Sequence, residues 1–196
     1  DAAGNSSTCS FTVTVQDKQA PVAVCKDVTV NLNASGSAVV TALQVNGGSI
    51  DNCTAPGLLT YSPITAIYNC SSIGSNDYTL VVSDASGNLA TCVANVTVRD
   101  VTSPVITACP ADVTVNDCYG TIPSLTAQLL AADACGATTV SQSPAAGANF
   151  MPVSGTTNII TYTVTDGSGN TSTCTSLVTL TDNTVPSVSC PDSIVT

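Results

Sequence analysis

The stretch Asp84-Ala-Ser-Gly-Asn-Leu-Ala-Thr-Cys92 decides the fold, because the chain repeats it twice more in recognisable form. The other copies occupy 1–9 and 166–174, so the copies lie 83 and 82 residues apart. Each continues into a run of Val and Thr, then an Asp and, four residues later, a Pro. A fixed period indicates a repeat array, and about 80 residues is the size of an independent β-sandwich rather than of a solenoid unit.

The two ends of the sequence set the predicted domain boundaries. Residues 1–31 align without a gap onto residues 166–196. We therefore expect 1–18 to be the C-terminal hairpin of a preceding repeat, 19–101 and 102–183 to be complete repeats, and 184–196 to be the first strand of a following repeat. The sequence is interpreted as a window from a longer repetitive chain.

Short runs rich in Val and Thr, bounded by Gly, Asn, Asp and Pro, predict strands throughout both repeats. Only 124–132 has an ambiguous, helix-compatible composition. Many short strands with frequent turns favour an all-β fold of tandem immunoglobulin-like sandwiches. The predicted strands are 28–32, 38–45, 58–61, 78–82 and 92–98 in the first repeat, and 113–115, 121–130, 138–140, 159–164 and 174–180 in the second.

The composition excludes several classes of function. The net charge is −10, all 13 acidic residues are Asp, and the only bases are Lys18, Lys26 and Arg99. Nucleic acids and anionic membranes need clustered bases, so neither is an expected partner. Because the sequence has no His, a Ser-His-Asp or Cys-His nucleophile is impossible within it, and we predict no enzymatic activity.

The motifs together resemble the hyalin repeat (HYR) domain family, as found in long bacterial surface and secreted proteins. The resemblance rests on Pro21-x-x-x-Cys25, Asp51-Asn-Cys53, the stretch 78–92 and the closing Val-Thr-Val-x-Asp100, and it covers the whole chain. It implies an immunoglobulin-like fold with an adhesive or structural role outside the cell. The second repeat departs from it at Ala134, where an Asn is expected.

Ten Cys predict disulfide-stapled domains in an oxidising, extracellular compartment, either at the cell surface or secreted. Four Cys per repeat allow three connectivities, and comparison of the repeats favours pairing the shared positions. The prediction is Cys25–Cys92, Cys109–Cys174, Cys53–Cys70 and Cys118–Cys135, with Cys109–Cys118 as an alternative.

Cys9 and Cys190 have no predicted partner within the sequence. By the logic of the repeat, each is expected to bond a cysteine outside the window. Two alternatives stay open, namely free thiols and bonds between molecules that cross-link a fibre.

The Asp-x-x-Gly-Asn segment joins the last two strands of each repeat, so its simplest interpretation is a hairpin turn. In an immunoglobulin-like sandwich this loop also lies near the loop between the second and third strands. Several carboxylates gathered there would suit Ca²⁺, which takes 6 to 8 oxygen ligands. The expected ligands are Asp17, Asp51, Asp84 and Asn88 at one joint, and Asp100, Asp133, Asp166 and Asn170 at the other.

These features predict a non-enzymatic structural or adhesive module that forms a rigid, calcium-stiffened shaft or fibre. Its partners would be neighbouring repeats of the same chain and copies of itself in a filament, recruited by strand addition at an exposed edge. The alternatives are a module that binds a glycan or a protein, and the accessory stalk of a secreted enzyme.

Overall fold

A computed structural model describes residues 1–116, 120–149, 155 and 157–189. Within them, strands dominate and the one α-helix is four residues long. By their contacts the residues divide into two compact units. The first contains 1–30, 38–68 and 72–98, and the second contains 31–37, 69–71 and the chain from Arg99 onward. In the described part of the chain, no helix is long and apolar enough to cross a membrane.

The first repeat forms a four-stranded sheet in the order β1-β6-β5-β3 and a two-stranded sheet of β2 and β4. In its two longest strands, alternate side chains are buried while their neighbours face outward, as period-two alternation requires. The elements are β1 Val28–Asn31, β2 Ser37–Thr41, α1 Ala42–Val45, β3 Thr60–Ser62, β4 Thr65–Asn69, β5 Gly74–Ser83 and β6 Leu89–Arg99.

The second repeat has an equivalent four-stranded sheet, in the order β10-β11-β12-β8, and a two-stranded sheet of β7 and β9. Its core contains Tyr162 and Ile160 of β11, packed with Val178 and Leu180 of β12. The strands are β7 Val105–Ala108, β8 Val113–Asn116, β9 Leu130–Ala132, β10 Thr139–Ser143, β11 Thr157–Thr165 and β12 Thr171–Thr181. The architecture is all-β and immunoglobulin-like, as predicted from the strand pattern.

Two predicted strands are wrong in part. The strand expected over 38–45 ends at Thr41, where α1 begins. The Thr41 hydroxyl accepts from the Gln44 backbone N–H at 3.4 Å, and Gln44 Oε1 accepts from the Thr41 N–H at 2.7 Å. This reciprocal capping box stabilises a helical turn in place of strand. In the strand expected over 121–130, the structure has a 3₁₀ turn at Thr126–Gln128, so strand geometry begins only at Leu130.

Residues 1–20 contain a turn and no strand. Phe11, Val13 and Val15 are exposed, with 86%, 71% and 90% of their surface accessible. Alternate apolar residues of this kind are typical of a strand that lacks the sheet on which it would pack. The assignment of 1–18 to a preceding repeat and of 184–196 to a following one stays a prediction.

Two disulfides join the positions that the repeats share. Cys25 bonds Cys92 and Cys109 bonds Cys174, with Cα atoms 5.7 and 6.2 Å apart. Both are the pairs expected from the sequence, and each closes a loop long enough to contribute about 4 kcal/mol on the chain-entropy account. The alternative Cys109–Cys118 pair is therefore excluded.

The other two predicted disulfides are wrong, because Cys70 bonds Cys135. By their contacts both cysteines belong to the second unit. Cys70 precedes the first residue of β5, whereas Cys53 lies near Asp84, which follows the last residue of that strand. A ten-residue strand is about 33 Å long, well beyond the reach of a disulfide. Cys53 is thus free and exposed, as is Cys9, while Cys118 and Cys190 lie outside the described residues.

Candidate metal centres at the aspartate loops

The loop that begins at Asp84 is held by its own side chains. Asp84 Oδ1 accepts from the backbone N–H groups of Ser86 at 2.9 Å and Asn88 at 2.8 Å. Asp84 Oδ2 accepts from the Asn88 side-chain amide at 2.7 Å. Gly87 has a φ of +86°, a conformation that L side chains rarely adopt, so the turn requires glycine there.

The same hydrogen bonds recur in the other two copies of the motif. Asp166 accepts from Ser168 and Asn170 with distances of 2.8 to 2.9 Å. Asp1 accepts from Ala3 and Asn5 with every distance at 2.9 Å, although no sheet follows this copy. The loop conformation is therefore encoded by the five residues themselves.

Burial would raise the pKa of Asp84, but the hydrogen bonds from the Asn88 side chain and from the backbone of Asn88, Ser86 and Gly87 outweigh it. The pKa of Asp84 is consequently lowered. The pKa of Asp166 is lowered by the equivalent bonds, also against the effect of burial. Both residues are nearly inaccessible to solvent, with 5% and 8% of their surface exposed, and both carboxylates hold their negative charge inside the loop.

Each loop asparagine also contacts the segment that leads into its repeat. Asn88 Nδ2 donates to the backbone carbonyls of Asp17 at 3.3 Å and Gln19 at 3.2 Å. Asn170 Nδ2 lies 3.4 Å from the Asp100 carbonyl in the equivalent position. These amides act as donors that fix the incoming backbone, so the predicted role of their oxygens as metal ligands is not needed to explain the two residues.

The first predicted joint is assembled as a cluster of three carboxylates. Single oxygens of Asp17, Asp51 and Asp84 all lie within 4.8 Å of one another. Asp51 Oδ2 accepts from the Thr54 N–H at 2.7 Å, and the Thr54 hydroxyl accepts from the Ala85 N–H at 3.2 Å. Thr54, which is 4% exposed, thereby links the Asp51 loop to the Asp84 loop.

Two oxygens of this cluster are buried without a donor. Asp17 Oδ1 accepts from the Gln19 N–H at 3.0 Å, and Asp51 Oδ2 accepts from the Thr54 N–H. Among the residues that the structure describes, no donor reaches Asp17 Oδ2 or Asp51 Oδ1. Buried acceptors without partners are costly, and adjacent negative charges add to the cost. A hard cation would remove both penalties, and carboxylate oxygens are the ligands that Ca²⁺ prefers.

The second joint differs from the prediction. Asp100 and Asp133 come together, but the third member of their group is Cys135 rather than Asp166. Because Cys135 is bonded to Cys70, it offers no thiolate. Gly136 stands where the first repeat has Thr54, so no hydroxyl is available to draw the Asp166 loop toward Asp133. The second group therefore offers fewer ligands than the first.

Asp27 and Asp112 also have structural roles, which the sequence analysis did not predict. Asp27 Oδ1 accepts from the backbone N–H of Asn95, and Asp112 Oδ1 accepts from that of Leu177, each at 2.8 Å. Their recurrence at equivalent positions was the available signal. These aspartates serve the sheet and are not part of either acidic group.

An apolar cleft of about 830 Å³ in the first unit was also missed. Leu43, Leu59 and Ile64 line it, and Tyr61 contributes a hydroxyl that accepts from Asn46 Nδ2 at 3.0 Å. Its residues are contributed by α1, β3 and the loops beside them, so their proximity depends on tertiary structure. If the chain were a module that binds a glycan or a protein, this cleft would be a candidate binding surface.

The chain is similar in sequence to the HYR domain and to a known protein. Residues 99–180 match the HYR domain. The whole chain is also similar to hyalin from Strongylocentrotus purpuratus, with 31% identity over 209 residues, 99% of this chain and 17% of hyalin. The chain thus spans about a sixth of that relative. The HYR match and the disulfides indicate an extracellular or surface protein.

Several solved structures also match. Immunoglobulin domains 1–4 of Sidekick-1 give a TM-score of 0.43 at 12% identity, covering 83% of this chain and 49% of that one. The insect immune protein hemolin gives 0.42 at 14% identity, with 86% and 49% covered. The chain thus spans about half of these two structures.

Proposed function

We propose that this chain is a non-enzymatic extracellular module with a structural or adhesive role, part of a long repetitive chain that forms a rigid shaft or fibre. The proposal is supported by the disulfide-stapled repeats, the HYR match over 99–180 and the similarity to hyalin. We further propose that Ca²⁺ binds at the acidic groups and stiffens the chain.

The observation that carries the calcium proposal is the cluster of Asp17, Asp51 and Asp84 with its two buried oxygens that lack donors. Asp17 belongs to the segment that enters the first repeat, whereas the other two belong to loops of the sandwich. An ion held by all three would tie the entering segment to the sandwich. Backbone carbonyls and waters would complete the coordination shell. At the second group, Asp100 and Asp133 would bind the ion with fewer protein ligands and more weakly.

Calcium titration of the chelator-treated chain by calorimetry tests the proposal. We expect saturable binding and a higher Tm with calcium, because an ion that binds only the folded state stabilises it. Asp51→Asn should weaken binding at the first site at least about tenfold, equivalent to about 1.4 kcal/mol. Asp77→Asn is the matched control, since Asp77 is exposed on β5 and outside the cluster.

Equal titration curves for Asp51→Asn and the unmodified chain would remove the first site from the proposal. Absence of binding at millimolar calcium would refute the calcium proposal as a whole. Stiffening is measured separately by small-angle scattering, in which chelation should broaden the distribution of dimensions.

Self-association into a filament is proposed to proceed through exposed strand edges. β3 and β10 each lie at the edge of a four-stranded sheet, and an unpaired edge can accept a strand from a neighbouring copy. Sedimentation at rising concentration, with and without calcium, should show assembly. A chain that stays monomeric under both conditions would contradict this part of the proposal.

The structural role itself is tested on native material by electron microscopy. Fibres or rods with a spacing of one or two sandwich lengths are expected. Isolated flexible rods tipped by a further domain would instead support the accessory stalk, and specific binding on a glycan array would support the binding module.

A further inference from the structure

The free thiol of Cys53 has a bonded equivalent in the same chain. Cys53 closes the triplet Asp51-Asn52-Cys53, and Cys135 closes Asp133-Ala134-Cys135 at the matching position of the next repeat. Cys135 is bonded to Cys70, whereas Cys53 is free and exposed. The two cysteines thus hold the same place in the repeat and differ in whether a partner is present.

Both triplets contain the same hydrogen bond from the cysteine to the aspartate two residues before it. The Cys135 N–H donates to Asp133 Oδ1 at 2.7 Å, and the Cys53 N–H donates to Asp51 Oδ2 at 2.9 Å. Each cysteine also lies beside an acidic group, since Cys135 joins Asp100 and Asp133, and Cys53 is close enough to Asp17, Asp51 and Asp84 to feel their charges. Cys53 therefore shares a local hydrogen bond and an acidic neighbourhood with the cysteine that carries a disulfide.

Cys70, the disulfide partner of Cys135, lies in a turn between two strands. It follows β4 and begins a 3₁₀ turn, Cys70–Ser72, before the next long strand. Its sulfur lies 3.4 Å from the Ala134 carbonyl, so it packs on the backbone of the triplet. It also packs against Gly36, where a Cβ would lie 2.6 Å from that sulfur.

We infer that Cys53 forms a disulfide with a cysteine of another repeat, at the position in that repeat that Cys70 occupies in the first one. This inference rests on the proposed function, in which the chain is part of a longer repetitive array. The bond would attach the Asp51 loop covalently to another repeat, as the Cys70–Cys135 bond attaches the Asp133 loop to the turn after β4.

The chemistry requires an oxidant, which we take to be a small-molecule or protein disulfide. Two thiols lose two protons and two electrons as the S–S bond forms. The oxidant accepts them by thiol–disulfide exchange, its own S–S bond breaks, and it leaves as two thiols. An extracellular compartment supplies such oxidants.

Peptide mapping of the native full-length protein under non-reducing conditions tests the inference. Free thiols are blocked with a maleimide at harvest, so that no exchange occurs later. We expect the Cys53 peptide to be cross-linked to a cysteine outside this 196-residue sequence. The Cys70–Cys135 peptide in the same digest is the internal control. Maleimide on Cys53, or a bond from Cys53 to any other cysteine of this sequence, would overturn the inference.

The isolated 196-residue chain provides a second measurement. Incubation with oxidised glutathione should place one glutathione on Cys53, which Cys53→Ser should abolish and Cys9→Ser should leave intact. No adduct at Cys53 would show that its thiol is not available for exchange and would count against the inference. Calcium binding is measured independently, so a failure here is distinguishable from a failure of the proposed function.

Discussion

The Asp27 carboxylate accepts a hydrogen bond from the Asn95 backbone N–H at 2.8 Å, and Asp112 does the same for Leu177 in the second repeat. Leu177 directly precedes the stretch of β12 that pairs in parallel with β8, beginning at Val178 and Val113. The Asp112 side chain therefore supplies one more hydrogen-bond acceptor to β12, just before the backbone pairing of β8 with β12 begins.

Removal of this acceptor should destabilise each repeat. We expect Asp27→Ala to lower the free energy of unfolding by about 1 kcal/mol, the typical net value of one hydrogen bond. Asp27→Asn keeps an acceptor oxygen and should recover most of the loss. Denaturant titration measures both, and an equal loss in the two variants would show that charge rather than the hydrogen bond is responsible.

The buried pair Tyr162 and Ser176 predicts an energetic coupling. Their hydroxyl oxygens lie 3.0 Å apart, and the residues are 0% and 3% exposed. Ser176→Ala should cost about 1 to 3 kcal/mol, because it leaves a buried hydroxyl without a partner. Tyr162→Phe in the Ser176→Ala background should cost much less than in the unmodified chain. Additive losses in the double-mutant cycle would contradict the coupling.

A side chain at position 36 is predicted to clash with the Cys70 sulfur. Gly87 serves as a control, because a substitution there causes backbone strain without a clash. Gly36 has a φ of +71°, and a Cβ there would lie 2.6 Å from the Cys70 sulfur. Gly87 has a φ of +86° with nothing within 4 Å of an added Cβ. Gly87→Ala should therefore show strain alone, about 1 to 2 kcal/mol.

Gly36→Ala should lose more stability than Gly87→Ala and should leave Cys70 and Cys135 reactive toward a maleimide in a larger fraction of molecules. Thermal unfolding and thiol counting measure the two effects. Equal losses of stability with fully bonded cysteines would show that the turn can shift to accept the methyl group.

The lowered pKa of Asp166 predicts how stability depends on pH. Its ordinary value is 3.8, and the folded state holds the pKa below this value. The carboxylate therefore contributes its full stabilisation above about pH 3.8, and the contribution is lost as the pH falls through the lower folded pKa. The Tm difference between the unmodified chain and Asp166→Asn, measured with chelator present, should be largest near neutral pH and should shrink in that acidic window. A difference that does not change with pH would contradict the assignment.

Thr54 predicts a long-range effect on the first acidic cluster. Its hydroxyl accepts from the Ala85 N–H at 3.2 Å and its N–H donates to Asp51, so it sets the separation of the Asp51 and Asp84 loops. Thr54→Val keeps the shape and loses the acceptor. We expect it to weaken calcium binding without removing a ligand, whereas Thr54→Ser should retain the affinity. Calcium titration by calorimetry compares the affinities of the two variants, and equal affinities would contradict the prediction.

The sequence predicted what depends on neighbouring residues and on the alternation of strands. The Asp-x-x-Gly-Asn loop forms the same hydrogen bonds in three copies, even at Asp1 where no sheet follows. The capping box of Thr41 and Gln44 was equally local, but it was overlooked because Val and Ala on either side favoured a strand. The shared disulfides followed from the repeat itself.

Tertiary structure decided which distant groups meet. Cys70 pairs with Cys135 instead of Cys53 because a ten-residue strand separates the positions of Cys70 and Cys53, and sequence spacing does not reveal that separation. Asp84 joins its cluster through the Thr54 hydroxyl, while Gly136 leaves Asp166 outside the second one. Local hydrogen bonds span a few residues and can be predicted from them, whereas disulfides and carboxylate clusters depend on which loops the folded strands bring together.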